Sequence, residues 1–452
     1  MDALIKAAEQ VAPIDRFPTV DQIRARAGAL ADAHPDIARF DQVGVSTKGE
    51  PIERLTIGDG PIHVLVIGMP HPNEPIGMAT IDHLATRLCA DDAVREGVTW
   101  HFLPCVDPDG TRLNEGWFAG PFTREHYARH FYRPGAEAQV EWTFPYEGGG
   151  LSLNSPMPET RAVMKAIDEA KPDLVVSLHN GEFGGVFYYV TDDAPEFADE
   201  LRSVAERVGV PLYLGAPDAP GSRPVGDAVF VLPSAAEIAA VLTAEGIDPG
   251  LLLYGGSSMD YTRRDGGDGD SLIVELPYWS DARACDQSDS GRTHGEVAAE
   301  SAVGHAATVA ALSESFTRLR PRFDVDPVLR DACQAFLHVL GTMAVAPREA
   351  DPRPATVAEA FTSADWVHGL RLRLTGMYLR LLAAVPAPGR GEGDDIDVRT
   401  ELDRVEKLFQ GWCADAEAAA PSVPVPIHKL VAVQAGATAA AVVRRLKAAG
   451  HA

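Results

Sequence analysis

The sequence has few cysteines, and they are poorly placed for either a disulfide framework or a thiolate metal site. Their number is odd, and no two of them form a C-x-x-C pair. Secreted disulfide proteins and thiolate zinc domains usually show paired, closely spaced cysteines. We therefore expect a protein of a reducing compartment and predict a cytoplasmic location. The cysteines are Cys89, Cys105, Cys285, Cys333 and Cys413.

Long apolar runs and an excess of basic residues are also missing. No segment approaches the ~18 consecutive apolar residues that a transmembrane helix needs. The segment MDALIKAAEQVAPIDRF lacks the basic start and the continuous apolar core of a signal peptide. The formal net charge is -25 at pH 7, which repels the phosphates of nucleic acids and anionic lipids. We expect neither a nucleic-acid partner nor a membrane partner.

The composition is otherwise that of an ordinary globular protein. A chain of 452 residues with 46% hydrophobic residues can bury a sizeable core and allows two domains. Residues 19–33 predict a helix behind a capping threonine. Further on, the apolar strand patterns HVLVIGM, VTWHFLPCV, DLVVSLH and SLIVELPYW alternate with the helical patterns MATIDHLATRLCA and PETRAVMKAIDEA. Such alternation predicts an α/β fold with a parallel or mixed sheet covered by helices on both faces.

Beyond about residue 297 the sequence shows helical patterns and no further strand signal. We place a domain boundary in the charged, proline-containing segment RLRPRFDVDP, which gives domains at 1–318 and 319–452. The second domain is predicted to be a small α-helical bundle, with linkers at 346–355 and 386–395. Its helix GLRLRLTGMYLRLL is expected to be half-buried, with a basic face against the acidic first domain.

The segment GMPHPNEPIG, residues 68–77, places two ligand-type side chains directly after a buried strand. A catalytic zinc site has three protein ligands, often histidine or carboxylate, and one position for water. His71 and Glu74 are separated by two residues, so both side chains can point to one ion. The strand DLVVSL is followed in the same way by His179. Since sites in open α/β sheets collect beyond the carboxyl ends of strands, these three residues are the predicted ligands.

A carboxylate inside another apolar strand is the candidate base. SLIVELPYW places Glu275 where an unpaired charge would be costly, so it needs a special partner. A metal-bound water is one such partner, because it requires a base to take its proton. A buried arginine would also satisfy this position. Burial beside Tyr278 and Trp279 is expected to raise the proton affinity of the carboxylate.

Four blocks in order resemble the zinc metallocarboxypeptidase family of carboxypeptidase A. They are VGVSTKGEPIERLTIGDGPIHVLVIGMPHPNEPIG, LPCVDPDGTRLN, PETRAVMKAI with PDLVVSLHNG, and YGGSSMDY with SLIVELP, and they cover about the first 310 residues. The resemblance implies the zinc ligands His71, Glu74 and His179, with Glu275 as general base and acid. It also implies a mixed sheet of about eight strands flanked by helices, one zinc ion, and a peptide or small amide substrate.

The sequence departs from this family where the substrate's terminal carboxylate would be held. The family has an Asn-Arg pair between the second and third blocks, whereas this chain reads RHFYRPGAEAQVEWTFPYEGGG. We select Arg133 as the substitute for substrate binding and catalysis, since arginine can bind a carboxylate through two bonds or stabilise an oxyanion. Arg124, Arg129 and Arg161 are alternatives, and for each arginine a surface ion pair is the competing interpretation.

Three further residues are assigned from their surroundings. Tyr254, which precedes Gly255 and Gly256, corresponds to the family's mobile tyrosine and is a catalytic candidate, although packing is the competing role and Tyr261 an alternative. Asp260 is assigned to substrate binding. Asp107 is either a hydrogen-bond acceptor behind a ligand histidine or an ordinary turn carboxylate.

The predicted function is therefore that of a zinc-dependent hydrolase of peptide or peptide-like amide bonds, and specifically a metallocarboxypeptidase. One alternative is an acyl-amino-acid deacylase of the succinylglutamate desuccinylase and aspartoacylase type, which uses similar ligands. Another is a non-catalytic binding protein. The helical domain is expected to pack on the catalytic domain, to restrict entry to the cleft or to form a homo-oligomer.

Overall fold

The computed structural model describes residues 2–244, 246–345, 351–386 and 395–450. Helices and strands alternate up to residue 293, and helices dominate after it. The strands are β1 (Ala38–Val45), β2 (Pro51–Ile57), β3 (Ile62–Ile67), β4 (Val98–Leu103), β5 (Tyr146–Gly148), β6 (Leu151–Leu153), β7 (Leu174–Gly184), β8 (Phe187–Val190), β9 (Arg223–Gly226), β10 (Val229–Val231), β11 (Asp270–Ser280), β12 (Asp289–Thr293) and β13 (Pro354–Thr356).

The helices of the first part frame the sheet, and the later ones are longer. They are α1 (Asp2–Glu9), α2 (Val20–Ala33), α3 (Ile76–Ala90), α4 (Asp92–Arg95), α5 (Pro108–Arg112), α6 (Arg124–His130), α7 (Pro158–Ala170), α8 (Pro195–Val208), α9 (Ala235–Ala244), α10 (Ser258–Thr262), α11 (His294–Leu319), α12 (Pro327–Met343), α13 (Val357–Ala384), α14 (Asp395–Ala419) and α15 (Ile427–Ala448). The predicted helix at 19–33 is α2, and Thr19 and Gln22 form its capping box.

Nine strands form one mixed sheet in the order β1-β2-β4-β3-β7-β11-β8-β10-β9. The central strands β4, β3, β7 and β11 run parallel to their neighbours in this group, and antiparallel pairs lie towards both edges. This confirms the predicted mixed α/β sheet, with nine strands where about eight were expected. Because the central strands are parallel, their carboxyl ends meet at one edge of the sheet.

Alternation along the strands separates two apolar cores. In β3, Val64 and Val66 belong to the larger core, whereas Leu65 and Ile67 belong to a smaller core that includes residues of α7. Successive side chains of a strand point to opposite faces, so both faces of the sheet are buried. The continuous apolar strands read from the sequence follow from this double burial.

The C-terminal helices confirm the predicted helical region, and they are distributed over two places. Helices α11, α12 and α13 pack together, and α13 also contacts α6 and α14. Helix α15 packs on the sheet against α3 and α8. It is apolar around most of its circumference, as expected of a helix buried on all sides. The domain boundary between 318 and 319 remains a prediction.

The region after residue 297 differs in one detail from the sequence-based expectation, and two of its predicted segments are mostly not described. A strand does occur beyond residue 297, since β13 pairs with β12 in a two-stranded sheet. With three residues and a proline at its start, β13 is too short to give a periodic pattern. Most of the two predicted linkers, residues 346–350 and 387–394, lies outside the described residues. Among the described residues, no helix has the length and apolar character needed to cross a membrane.

Candidate metal centre

Two segments that each contain a left-handed residue bring ligand-type side chains to one place at the sheet. The first ligand loop, residues 68–77, follows β3, and its Met69 adopts φ 57°. The second ligand loop, residues 179–182, lies in β7, and its Glu182 adopts φ 59°. Left-handed backbone is uncommon for residues other than glycine and often marks functional sites. Both segments therefore contain one residue in a locally unfavourable conformation beside the candidate ligands.

A glycine lets the first loop pass directly into a helix. A Cβ atom at Gly77 would lie 2.9 Å from the Cα atom of Gly68. A side chain at this position would push α3 away from the end of β3. The close approach keeps Glu74, which precedes α3, over the carboxyl end of the strand.

The three predicted ligands converge. The Nδ1 atom of His71 lies 3.0 Å from Oε1 of Glu74, and the Nδ1 atom of His179 lies 3.0 Å from Oε2 of the same carboxylate. The two Nδ1 atoms are 3.2 Å apart. Donors bound tetrahedrally to zinc at 2.0–2.1 Å are separated by about 3.3 Å. Two imidazoles and one carboxylate at these distances fit a zinc ion, and all three residues are buried.

Burial and neighbouring charges shift the pKa values of the three candidate ligands in different directions. Burial and the nearby Arg133 guanidinium lower the pKa of His71 to about 3. Burial also opposes charge on His179, but the carboxylates of Glu275 and Glu74 outweigh it and raise its pKa to about 9. Burial alone would raise the pKa of Glu74, yet the two histidines hold it well below its ordinary value. A carboxylate that stays ionised between two imidazoles is suited to bind a cation.

Glu275 lies on the strand next to the second ligand loop. In the parallel pair β7–β11 it is opposite His179, and its Oε1 atom is 3.7 Å from Nδ1 of that histidine. The residue is 8% exposed. Burial raises its pKa well above the ordinary glutamate value, against the opposing effect of His179. Glu74 and Glu275 thus differ in the direction of their pKa shifts although both are buried at the same centre.

Arg133 faces the same cavity, and the alternative arginines are differently placed. The cavity has a volume of about 1010 Å³ and is lined by His71, Glu74, His179 and Glu275. The Nη1 atom of Arg133 donates to Oε1 of Glu74 at 3.1 Å. The alternatives are Arg124, which lines the cavity and pairs with Asp365, Arg129, which pairs with Glu125 and Glu406, and Arg161, which is exposed.

Tyr254 and Asp260 also line the cavity, but Asp260 is engaged by its own helix. Its Oδ2 atom accepts from the backbone N of Ser257 at 2.9 Å and from the Oγ of the same residue at 3.1 Å, which forms the capping box of α10. The substrate-binding assignment of Asp260 stays a prediction beside this capping role. Tyr261 instead donates to Asp168 and packs in the smaller core.

Asp107 is a helix cap. Its carboxylate accepts from the backbone N of Gly110 at 2.8 Å and begins α5. Among the described residues, no hydrogen bond joins it to His71 or His179. Burial raises its pKa to about 7.

Several polar residues around the centre were not identified from the sequence. Glu141 is buried in the cavity wall, hydrogen-bonds to Ser258, and has a pKa raised by burial. Glu182 accepts from Tyr127 and pairs with Arg373 of α13. The acid in LHNGEFGG follows a predicted ligand by three residues, and this was an available signal. No pattern of the sequence connects Arg373 with it.

The helical region also forms part of the cavity wall. Side chains of α12 and α13 line the same cavity as the candidate ligands, and Trp366 among them is 41% exposed. These residues therefore belong to the cavity wall, and the expectation that the helical part restricts entry to the cleft stays a prediction. The lining residues include Phe336, Val339, Trp366 and Leu370.

Comparisons with known proteins found one matching family and several similar chains. The zinc carboxypeptidase family, Peptidase_M14, matches residues 23–212. The chain is 25% identical over 215 residues to carboxypeptidase B of Astacus astacus, which covers 41% of this chain and 68% of that protein. Similar solved structures include carboxypeptidase A from Helicoverpa armigera, with 15% identity, a TM-score of 0.39 and coverage of 62% of this chain and 71% of that chain. A metallo-carboxypeptidase from Burkholderia cenocepacia has 19% identity, a TM-score of 0.37 and coverage of 58% and 60%.

The range matched by the family includes His71, Glu74 and His179 and ends before Glu275. The family is zinc-dependent, and the His-Glu-His cluster lies within the matched range. Residues 23–212 are therefore similar to the zinc carboxypeptidase family, and the chain is an enzyme, a metallocarboxypeptidase or a related hydrolase.

Proposed function

We propose that this protein is a metallocarboxypeptidase that hydrolyses peptide or peptide-like amide bonds, with one zinc ion held by His71, Glu74 and His179. The observation that carries the proposal is the convergence of three buried ligand-type side chains, with Glu275 on the adjacent strand. When bound, zinc supplies a Lewis acid that polarises the scissile carbonyl and lowers the pKa of water.

In the proposed mechanism, Glu275 moves the proton. Its carboxylate accepts a proton from the attacking water, whose oxygen forms the new bond to the carbonyl carbon. Glu275 then donates this proton to the amide nitrogen as the C–N bond breaks, which leaves an amine and a carboxylic acid. Burial, which raises its pKa, favours a carboxylate that can both take and return a proton.

Arg133 is proposed to bind the negative charge of the substrate. Its guanidinium is partly exposed to the cavity and lies next to Glu74. From this position it can stabilise negative charge that develops on the carbonyl oxygen, or it can bind a terminal carboxylate. Tyr254 and Asp260, which line the same cavity, are proposed to contact the substrate.

A second candidate is hydrolysis of amides that lack a free terminal carboxylate. It is favoured by the charge of the cavity, where acidic side chains outnumber arginines. Arg124 is paired with Asp365 and Arg373 with Glu182, so both guanidinium groups are already neutralised. Of the remaining cavity arginines, Arg133 is paired with Glu74 and Arg320 donates to Gln334, so a negatively charged substrate end would depend on these two and on the bound ion.

One experiment tests both candidates. The protein is depleted of metal with a chelator, reloaded with zinc, and assayed with peptides of equal sequence that end in a free carboxylate or in an amide. We expect hydrolysis that requires zinc, with release of C-terminal residues from the free-acid peptides. Faster cleavage of the amidated peptides would replace the carboxypeptidase by the second candidate. A chain that binds no zinc would contradict the proposal as a whole.

A further inference from the structure

Two buried polar side chains of the helical region contact the strands and loops that carry the candidate ligands. Arg373 lies on α13 and is 5% exposed, and Gln434 lies on α15 and is 0% exposed. Buried polar groups are costly unless they are hydrogen-bonded. Their bonding partners therefore indicate what these residues do.

Gln434 binds the backbone of both strands at the centre. Its Nε2 atom donates to the carbonyl oxygen of His179 at 3.2 Å and to that of Val274 at 3.3 Å. Val274 directly precedes Glu275 in β11. The Oε1 atom of Gln434 accepts from Oγ1 of Thr80 at 2.7 Å. One side chain thus holds the peptide groups next to a candidate ligand and next to the candidate base.

Arg373 reaches the two ligand loops through Glu182. The guanidinium pairs with this carboxylate, which also accepts from the hydroxyl of Tyr127. The amide of Asn73, which lies between His71 and Glu74, is 3.5 Å from Oε1 of Glu182. The pair therefore connects α13 with the second ligand loop directly and with the first one through Asn73.

The conformation of Glu182 requires such support. Its φ of 59° lies in the left-handed region, and the register of β7 against β11 is interrupted between His179 and Glu182. Unfavourable backbone of this kind persists only where the surroundings hold it. A buried ion pair by itself adds little to stability, because desolvation offsets the attraction. The pair is better explained by the geometry that it maintains beside the ligands.

We propose that Arg373 and Gln434 are positioning residues of the metal centre, so that the C-terminal helical region is required for tight metal binding. Gln434 holds the strand ends that carry His179 and Glu275, and Arg373 holds the two ligand loops in register. The inference rests on the zinc-binding role proposed above for His71, Glu74 and His179.

The test compares zinc affinity in matched variants of the full chain. Arg373→Lys and Gln434→Met keep most of the side-chain volume but alter the hydrogen bonds. The control for the first is Arg371→Lys on the same helix, since Arg371 bonds to Thr308 and to the carbonyl of Gly304 and lies away from the ligand loops. The control for the second is Thr438→Val, because its hydroxyl bonds within α15.

Zinc dissociation constants are measured by competition with a chromophoric chelator, and cobalt-loaded protein provides an absorption spectrum of the site. We expect the constant to rise about 10-fold in Arg373→Lys and Gln434→Met, with a changed cobalt spectrum. The two controls should stay within about twofold of the unaltered chain. Urea unfolding of the metal-free proteins shows whether the loss exceeds what reduced stability explains.

The outcomes separate this inference from the proposed function. If the unaltered chain binds no zinc, the proposed function fails. If it binds zinc but Arg373→Lys and Gln434→Met bind equally well, with the same cobalt spectrum, the positioning role fails alone. It also fails if affinity falls by the same factor in the controls, or if both variants fail to fold while the controls fold, because the role would then be structural only.

Discussion

The sheet and the helical region contribute to the centre in different ways. The sheet supplies the candidate reactive groups: His71 follows β3, whereas His179 and Glu275 lie inside β7 and β11, where each interrupts an apolar run. The C-terminal helices contribute differently: α12 and α13 supply part of the cavity wall, and α13 and α15 supply the buried contacts of Arg373 and Gln434.

The difference shows why one region reveals its chemistry in the sequence and the other does not. A charged residue inside a short apolar strand is conspicuous, since the strand is expected to be buried on both faces. A polar residue in an amphipathic helix is ordinary, because such helices always have a polar face. Only the packing tells which of these helical residues is buried.

The largest effect is expected for Glu275→Gln, which changes a candidate reactive group of the sheet. We expect kcat to fall by about 10²- to 10⁴-fold, because glutamine cannot accept the proton of the attacking water. Zinc content, measured by metal analysis, should be unchanged. Glu74→Gln is the matched variant of the other buried carboxylate and should lose zinc as well as activity. Glu275→Gln with full turnover would remove the assignment of the base.

Arg133→Met is expected to have the next largest effect. With saturating zinc, kcat/KM should fall about 10²-fold if the guanidinium stabilises the developing negative charge, as loss of an oxyanion donor does. The exposed Arg161→Met on α7 is the control and should leave the kinetics unchanged. A loss confined to free-acid peptides would assign Arg133 to the terminal carboxylate instead. Kinetics equal to those of the control would contradict both roles.

The raised pKa of Asp107 should make the free energy of unfolding depend on pH. Its pKa rises from an ordinary 3.8 to about 7 in the folded chain, so the folded state binds a proton that the unfolded state has lost between these pH values. The stabilising contribution is complete below pH 3.8 and is lost as the pH rises towards 7, with a slope of about 1.4 kcal/mol per pH unit.

The comparison uses Asp107→Asn in metal-free protein, so that zinc release does not contribute. Asparagine can still accept from the backbone N of Gly110 and keep the cap of α5. Urea unfolding at several pH values should show that the variant gains stability relative to the unaltered chain as the pH rises. A difference between the two proteins that does not change with pH would contradict the raised pKa.

The smallest effect is expected in the helical wall. Trp366→Ala should raise KM about fivefold for substrates with a bulky apolar group and leave kcat unchanged. The variant loses apolar contact with such substrates, and this contact contributes about 1 kcal/mol to the binding free energy. The exposed Val303→Ala on α11, outside the cavity lining, is the control. If Trp366→Ala has the same KM for bulky substrates as the unaltered chain, this wall does not contact the substrate.

Much of the fold and of the centre followed from local patterns. Two strands were predicted because apolar runs stop at His71 and His179, and the structure brings these residues together. The expectation that the second strand ends at His179 was wrong, because β7 continues to Gly184 in its pairing with β11. The roles of Glu275, Arg133, Tyr254 and Asp260 stay predictions, although all four line the cavity. Glu141 was missed because no spacing distinguishes it from a surface acid, and Glu182 was missed although it follows His179 at the spacing that separates His71 and Glu74.

The sequence by itself determined which segments are buried strands and which side chains follow them, because burial and alternation act over a few neighbouring residues. Only the tertiary structure decided that β7 lies between β3 and β11, which brings side chains from distant parts of the chain within about 4 Å of one another. It also decided that Arg373 and Gln434 reach this place, since such contacts depend on the packing of whole helices on the sheet and leave no local pattern.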